Sequence, residues 1–134
     1  MSNNFYYSVR LKLNHPAINP AEITESLGME SDYEQSKINY AGRINHYWNY
    51  TNFTTGEDDF FEEVEDILDW LVQEKKEFID DFISTGGEFM IIIQLPGDLD
   101  SISLISKSII KKTLYLGVTI GIEVFPILKR PVAN

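Results

Sequence analysis

Cysteine is absent from the 134 residues, which excludes a disulfide framework, a thiolate zinc site and a cysteine nucleophile. Histidine occurs only twice, at His15 and His46. His15 precedes Pro16 in a turn and is expected to face water. His46 has no serine, cysteine or paired carboxylate at the spacing that catalysis requires. No glycine-rich phosphate loop exists, because Gly86-Gly87 follows a helical pattern instead of opening one. The longest uninterrupted apolar run is Phe89 to Ile93, far short of the ~20 residues a membrane helix needs. Met1-Ser2-Asn3-Asn4 carries neither the basic cluster nor the apolar stretch of a secretory signal. These absences predict a cytoplasmic protein without membrane span, cofactor or catalytic residue, and they favour binding over catalysis.

What is present is acid, and it is concentrated. Glu57 to Asp81 holds twelve carboxylates against Lys75 and Lys76, which accounts for the whole net charge of −10. Elsewhere acids and bases cancel. A patch of one sign steers association with partners of the opposite sign. The same excess argues against nucleic acid, whose phosphates require a basic face. Lys107, Lys111 and Lys112 form a small basic face near the end of the chain, with Tyr115 its only aromatic neighbour, too little to reverse that conclusion.

The length and the 43% apolar content suit one domain spanning 1–134. Phe5 to Leu13 alternates apolar with polar residues and predicts a strand with one buried face. Asn19-Pro20-Ala21-Glu22 carries a helix cap, a proline at the first helical position and a glutamate three residues past the cap. That short helix ends at Gly28, with Ile23 and Leu27 inward. A short strand is expected near Tyr33–Ile38 and a firmer one over Tyr47–Phe53, with Trp48, Tyr50 and Asn52 on one face. Thr54-Thr55-Gly56 reads as a turn, with Thr55 or Asp58 capping the next helix.

From Asp58 to about Ile83, Phe60, Phe61, Val64, Ile67, Leu68, Leu71, Phe78, Ile79 and Phe82 share one helical face. Lys75 falls inside that stripe, so a break near Gln73–Lys76 competes with one straight helix. Phe89–Leu95 reads as a central strand, Pro96-Gly97-Asp98 as a turn, and Ile102 to Ile105 as a brief extended segment. A helix capped by Ser106 and ended by Gly117 leads to a last strand over Val118–Phe125, then an irregular tail from about 126. The architecture expected is α+β, a two-layer sandwich with helices packed on one face of a mixed, mainly antiparallel sheet.

Three segments together carry a resemblance. The opening Asn19-Pro20-Ala21-Glu22-Ile23-Thr24-Glu25-Ser26-Leu27-Gly28, the stretch from Lys37 through Gly42-Arg43 to Trp48, and Leu104-Ile105-Ser106 with Leu116-Gly117-Val118 to Phe125 are involved. The chain thereby resembles the bacterial family called domain of unknown function 4279 over nearly its whole length. Asn19 stands where that family commonly has aspartate, which keeps the capping chemistry. Phe125 stands where tyrosine is common, which removes a hydroxyl. The resemblance implies a compact bacterial α+β domain with no established activity. By analogy with small acidic domains found beside toxin genes, it also implies an immunity role.

Two constellations stand out. On the acidic helix, Asp59, Glu62, Asp66, Asp69 and Glu77 oppose the apolar stripe. Trp70 lies on the flank, with Glu63, Asp66, Glu74 and Glu77 at helical spacing around it. Either this is a solvated surface or Trp70 anchors a basic partner, since tryptophan is over-represented in such anchors. The competing place for Trp70 is beneath the 29–57 segment. Glu62, Asp66 and Asp69 stack along one face, but no calcium-type loop or Glu-x-x-His exists, so no metal site is expected. The second constellation is Arg43, His46, Trp48 and Tyr50, which would line a pocket for an anion or planar ligand or else pack on the sheet. These features support three readings: a non-catalytic protein-binding domain, in its sharpest form an immunity-type protein neutralising a basic toxin; a small-molecule-binding or enzymatic domain at the second cluster; or a homo-oligomer that pairs exposed strand edges.

Overall fold

The computed structural model describes residues 7–54, 60–96 and 105–125. Five strands form one sheet: β1 (Tyr7–His15), β2 (Tyr33–Ile38), β3 (Ile44–Thr54), β4 (Glu88–Pro96) and β5 (Thr119–Phe125). Four helices accompany them: α1 (Pro20–Leu27), α2 (Phe60–Glu74), α3 (Lys76–Ser84) and α4 (Lys107–Leu116). The strand order is β2-β3-β1-β4-β5, antiparallel throughout except for the parallel pair β4–β5. That parallel pair follows from its connection, because only a crossover through α4 can bring β5 alongside β4 in the same direction. The fold is α+β, as expected.

The core is built in rows across the sheet. Trp48, Leu13 and Phe89 are register partners; so are Tyr50, Leu11, Ile91 and Ile120, and Asn52, Val9, Ile93 and Ile122. Against these rows pack Ile23 and Leu27 of α1, Val64, Leu68 and Leu71 of α2, Ile79 and Phe82 of α3, and Ile109 and Leu116 of α4. The alternate residues of β1, Ser8, Arg10, Lys12 and Asn14, point to the other face, as a period of two demands.

The predicted helix ends are where the chemistry put them. Asn19 accepts from the Glu22 amide at 2.9 Å while the Glu22 carboxylate accepts from the Asn19 amide, and Gly28 follows at φ 73°. Ser106 caps α4, and Gly117 ends it at φ 74°. The acidic segment does break, at Lys75. An ammonium cannot stay in an apolar stripe unpaired. Lys75 Nζ instead donates at 2.9 Å to the carbonyl of Ser26, in the last turn of α1, where carbonyls lack helical partners and the dipole favours a cation.

Two expectations are corrected. His15 does not face water: it is the last residue of β1 and is buried. β3 begins at Ile44, earlier than the Tyr47 start read from the sequence. The hairpin before it is closed by Asn39, whose side chain accepts from the amides of Ala41 and Arg43, with Gly42 at φ 77°. Ile105 lies outside any strand. The turns expected at 54–56 and 96–98, the caps at Thr55 and Asp58, the extended segment before Ile105 and the tail from 126 lie largely or wholly outside the described residues.

Candidate functional site

The acidic surface is divided among several elements. Glu62, Asp66 and Glu74 are exposed on α2, and Glu77 is exposed on α3, beyond the break. The helical spacing that related Glu77 to Trp70 therefore does not run through a single helix. Glu63 is half-buried and accepts from the side-chain Nδ2 of Asn52 on β3. Asp69 binds Lys112 of α4 at 2.6 Å, and Glu65 binds the same ammonium at 2.8 Å. The hydrogen bond from Lys112, then that from Ser108, holds the Glu65 carboxyl below its usual value. Asp69 first and Glu65 second raise the Lys112 ammonium above its own. Asp59 lies outside the described residues.

Lys112 is the residue that sequence reasoning misplaced, because it had been grouped with Lys107 and Lys111 on a basic face. Nothing in local spacing signals a bond spanning 47 residues. Lys76 likewise turns inward on its own helices, pairing with Asp80 at 2.5 Å and lying 4.7 Å from the Tyr115 ring.

Trp70 is half-buried and packs against the core, with Lys75 Nζ 5.7 Å from its ring centre. The indole that looked ringed by carboxylates thus has a cation over it, supplied by the break itself. Asp66 and Glu74 lie one turn before and one turn after it on α2.

Arg43, His46, Trp48 and Tyr50 do not line one opening. Arg43 is exposed on the β2–β3 hairpin. Trp48 is fully buried, and its Nε1 donates to Thr24 Oγ1 of α1 at 3.0 Å, so its ring is core. Tyr50 is half-buried in the row with Leu11. His46 alone of the four has a partner suited to chemistry, its Nδ1 lying 2.7 Å from Ser36 Oγ on β2. Ser36 also borders an open cleft of about 360 Å³ between the start of α1 and β2, lined by Asn19, Pro20, Ala21, Glu34 and Gln35. Neither the pair nor the cleft was visible before β2 and β3 were paired in register.

His15 is the other titratable group with a defined environment. Its Nδ1 accepts from the amides of Ala17 and Ile18, both at 2.9 Å. The ring proton therefore resides on Nε2, which donates to Thr85 Oγ1 at 2.7 Å, and that hydroxyl donates onward to the Asp81 carbonyl. Burial pushes the His15 pKa down, against the opposing pull of Asp81. The arrangement is structural: both nitrogens are occupied within the fold.

On the opposite face of the sheet Arg10 Nε donates to Thr51 Oγ1 at 3.1 Å, and Lys37 lies 5.3 Å from the Tyr47 ring. Ser8 donates to Gln94, which donates to Glu123. Among the described residues no cluster of three metal-ligating side chains occurs, and no helix is long and apolar enough to cross a membrane. Compared with known proteins, the chain matches no family model, no curated protein and no solved structure.

Proposed function

We propose that this chain is a non-catalytic protein-binding domain that docks a basic partner on the outer face of α2, with Trp70 as the apolar anchor. The observation that carries this reading is where the cations nearest α2 are directed. Lys75, Lys76 and Lys112 each turn onto partners within the molecule, while Asp66, Glu74 and Glu77 stand exposed. A half-buried indole bordered by such carboxylates suits a cationic surface, because the ring supplies desolvated contact and the acids supply steering. In its sharpest form the domain is an immunity-type protein that covers the cleft of a basic toxin. The resemblance to domain of unknown function 4279 supports that form by analogy.

Co-purification from the source organism, followed by measured association rates, tests the reading. Association should slow steeply as salt rises, since charges farther apart than about 8 Å are screened at physiological ionic strength. Trp70→Ala should weaken binding at least about tenfold, a hot-spot effect. Asp66→Lys should slow association more than it speeds dissociation. A partner indifferent to both substitutions at physiological salt refutes the acidic-helix reading.

The Ser36–His46 pair beside the α1–β2 cleft favours a second reading, a small-molecule site. A ligand selective for the native state raises thermal stability by mass action. A metabolite panel without a stabilising compound, or one whose hit is unaffected by His46→Ala, removes it.

A further inference from the structure

The two edges of the sheet are built differently. Along β2 every residue is exposed, and Glu34 and Lys37 put charges on the strand, the usual device against strand addition. Along β5 the residues on the helix side are Ile120, Ile122 and Val124. Ile122 is 51% exposed and Val124 63% exposed, although their register partner Ile93 is fully buried and Leu95 half-buried. Helix α4 extends this apolar edge. Lys112 and Tyr115 face α2 and α3, and Ile109 and Leu116 face the core. At 100° per residue Ile110 and Leu114 fall on the flank turned away from α2, and they are 49% and 77% exposed. α4 passes directly into β5 through Gly117-Val118.

We propose that this edge takes a second copy of the same chain, with β5 pairing antiparallel to its counterpart about a two-fold axis at Ile122. A strand edge presents alternating amide and carbonyl groups that another strand satisfies. The self-pairing is complementary in register. Ile122 meets its own copy, Ile120 meets Val124, and Glu123 meets Gly121, so no like charges oppose one another. The charge distribution selects the same side. Across α2 the exposed Asp66 and Glu74 would meet like charges of the copy, whereas β5 carries a single charged residue, Glu123, which this register sets opposite Gly121. Pairing at β5 joins two five-stranded sheets into one of ten and covers Ile122 and Val124 with apolar surface. An isologous contact of this kind closes at two subunits.

Sedimentation velocity of the full chain from low to high micromolar concentration tests the proposal, with circular dichroism to verify folding. A dimer is expected. Ile122→Asp, which places two carboxylates on the axis, should weaken it at least about 100-fold, because like charges brought together cost several kcal/mol. The lack of native cysteine makes a second arm available that does not depend on Ile122→Asp remaining folded. Opposed Cα atoms in antiparallel strands lie about 4.5–5.5 Å apart, within disulfide reach. Ile122→Cys should therefore cross-link on mild oxidation. Val124→Cys should not, since its copy lies four residues along the strand. A monomer at the highest concentration, a dimer untouched by Ile122→Asp in a folded protein, or preferential cross-linking through Val124→Cys each overturns the proposal.

Discussion

Trp48 and Trp70 occupy opposite kinds of ground in the same helix-covered layer. Trp48 is fully buried, is paired in register with Leu13, and has its single donor committed to Thr24. Trp70 is half-buried on the flank of α2 and lies beneath the Lys75 ammonium. Their sequence surroundings do not separate them, since both have polar or charged neighbours. Trp48 stands among Arg43, Asn45, His46 and Asn49, yet it is core. Trp70 stands among the acids of an amphipathic helix, and it reaches the rim. A strand explains the first, because alternate neighbours leave for the other face and the polar residues go with them. A helical flank explains the second, because about 120° of rotation from the stripe leaves a ring with one side in contact and the other open.

The contrast breaks first, and with the largest effect, under truncation. Trp48→Ala should cost about 3–5 kcal/mol by urea denaturation, the range for a large buried aromatic. Trp70→Ala should cost less than half of that. Equal losses would mean that the rim and the centre are energetically one.

Gly87→Ala comes next. An added Cβ would lie 2.6 Å from His15 Cδ2 and from two atoms of the Phe82 ring, so the buried centre must shift. A loss of about 1–3 kcal/mol is expected, as for other overpacked sites. The same urea titration reads it, and a loss near zero would show that the His15–Phe82 contact yields freely.

Acid separates the two regions by a smaller amount. Burial lowers the pKa of His15 in the native state. Above the ordinary histidine value both states are neutral and the full stability is present. As pH falls below it, the unfolded chain takes up the proton first, so stability declines until the native ring titrates too. Asp81 and Glu22 oppose this shift and His46 reinforces it. Denaturation midpoints at pH 7.5 and 5.5 should show the decline in the native protein and in Trp70→Ala. His15→Asn should lose it while keeping an acceptor for the Ala17 and Ile18 amides.

The smallest effect belongs to the rim. Lys112→Met removes the cation shared by Glu65 and Asp69. Stability should then rise with added salt, as screening relieves the acids, where the native protein changes little. Glu65, with its pKa lowered, contributes above the usual carboxylate range and loses that contribution on acidification. Lys112, with its pKa raised, contributes below the usual lysine range and loses it in alkali.

Local chemistry was legible in the sequence. The Asn19 box, Gly28, the Ser106 cap and Gly117 were read from residues within a turn or two of one another, and all are present; between a break near Lys75 and one straight helix the sequence did not choose, and the chain breaks there. The alternation of β1 likewise put Leu13 on a buried face, and that of β3 put Trp48 and Tyr50 on one face, without telling which face of β3 is covered. What escaped was pairwise and distant. Lys112 meets Asp69 across two helices, Ser36 meets His46 across a hairpin, and His15 is sealed by amides from the very turn that seemed to expose it. Each depends on which elements become neighbours, and periodicity carries no information about that. The candidate site changed most for this reason: Glu63 and Asp69 have inward partners that spacing along the chain does not signal.

The position of β1 sets the tempo of assembly. It is the middle strand, pairing on one side with β3 and on the other with β4, where Ser8 lies opposite Gln94 and Asn14 opposite Glu88. The first strand to be made thus waits for a partner about eighty residues downstream, with Val9, Leu11 and Leu13 incompletely covered until then. Closing so long a loop before its contacts repay the lost entropy slows folding. On this topology the hairpin of β2 and β3 is expected to form and hold β1 early, with the native sheet completed only when β4 arrives.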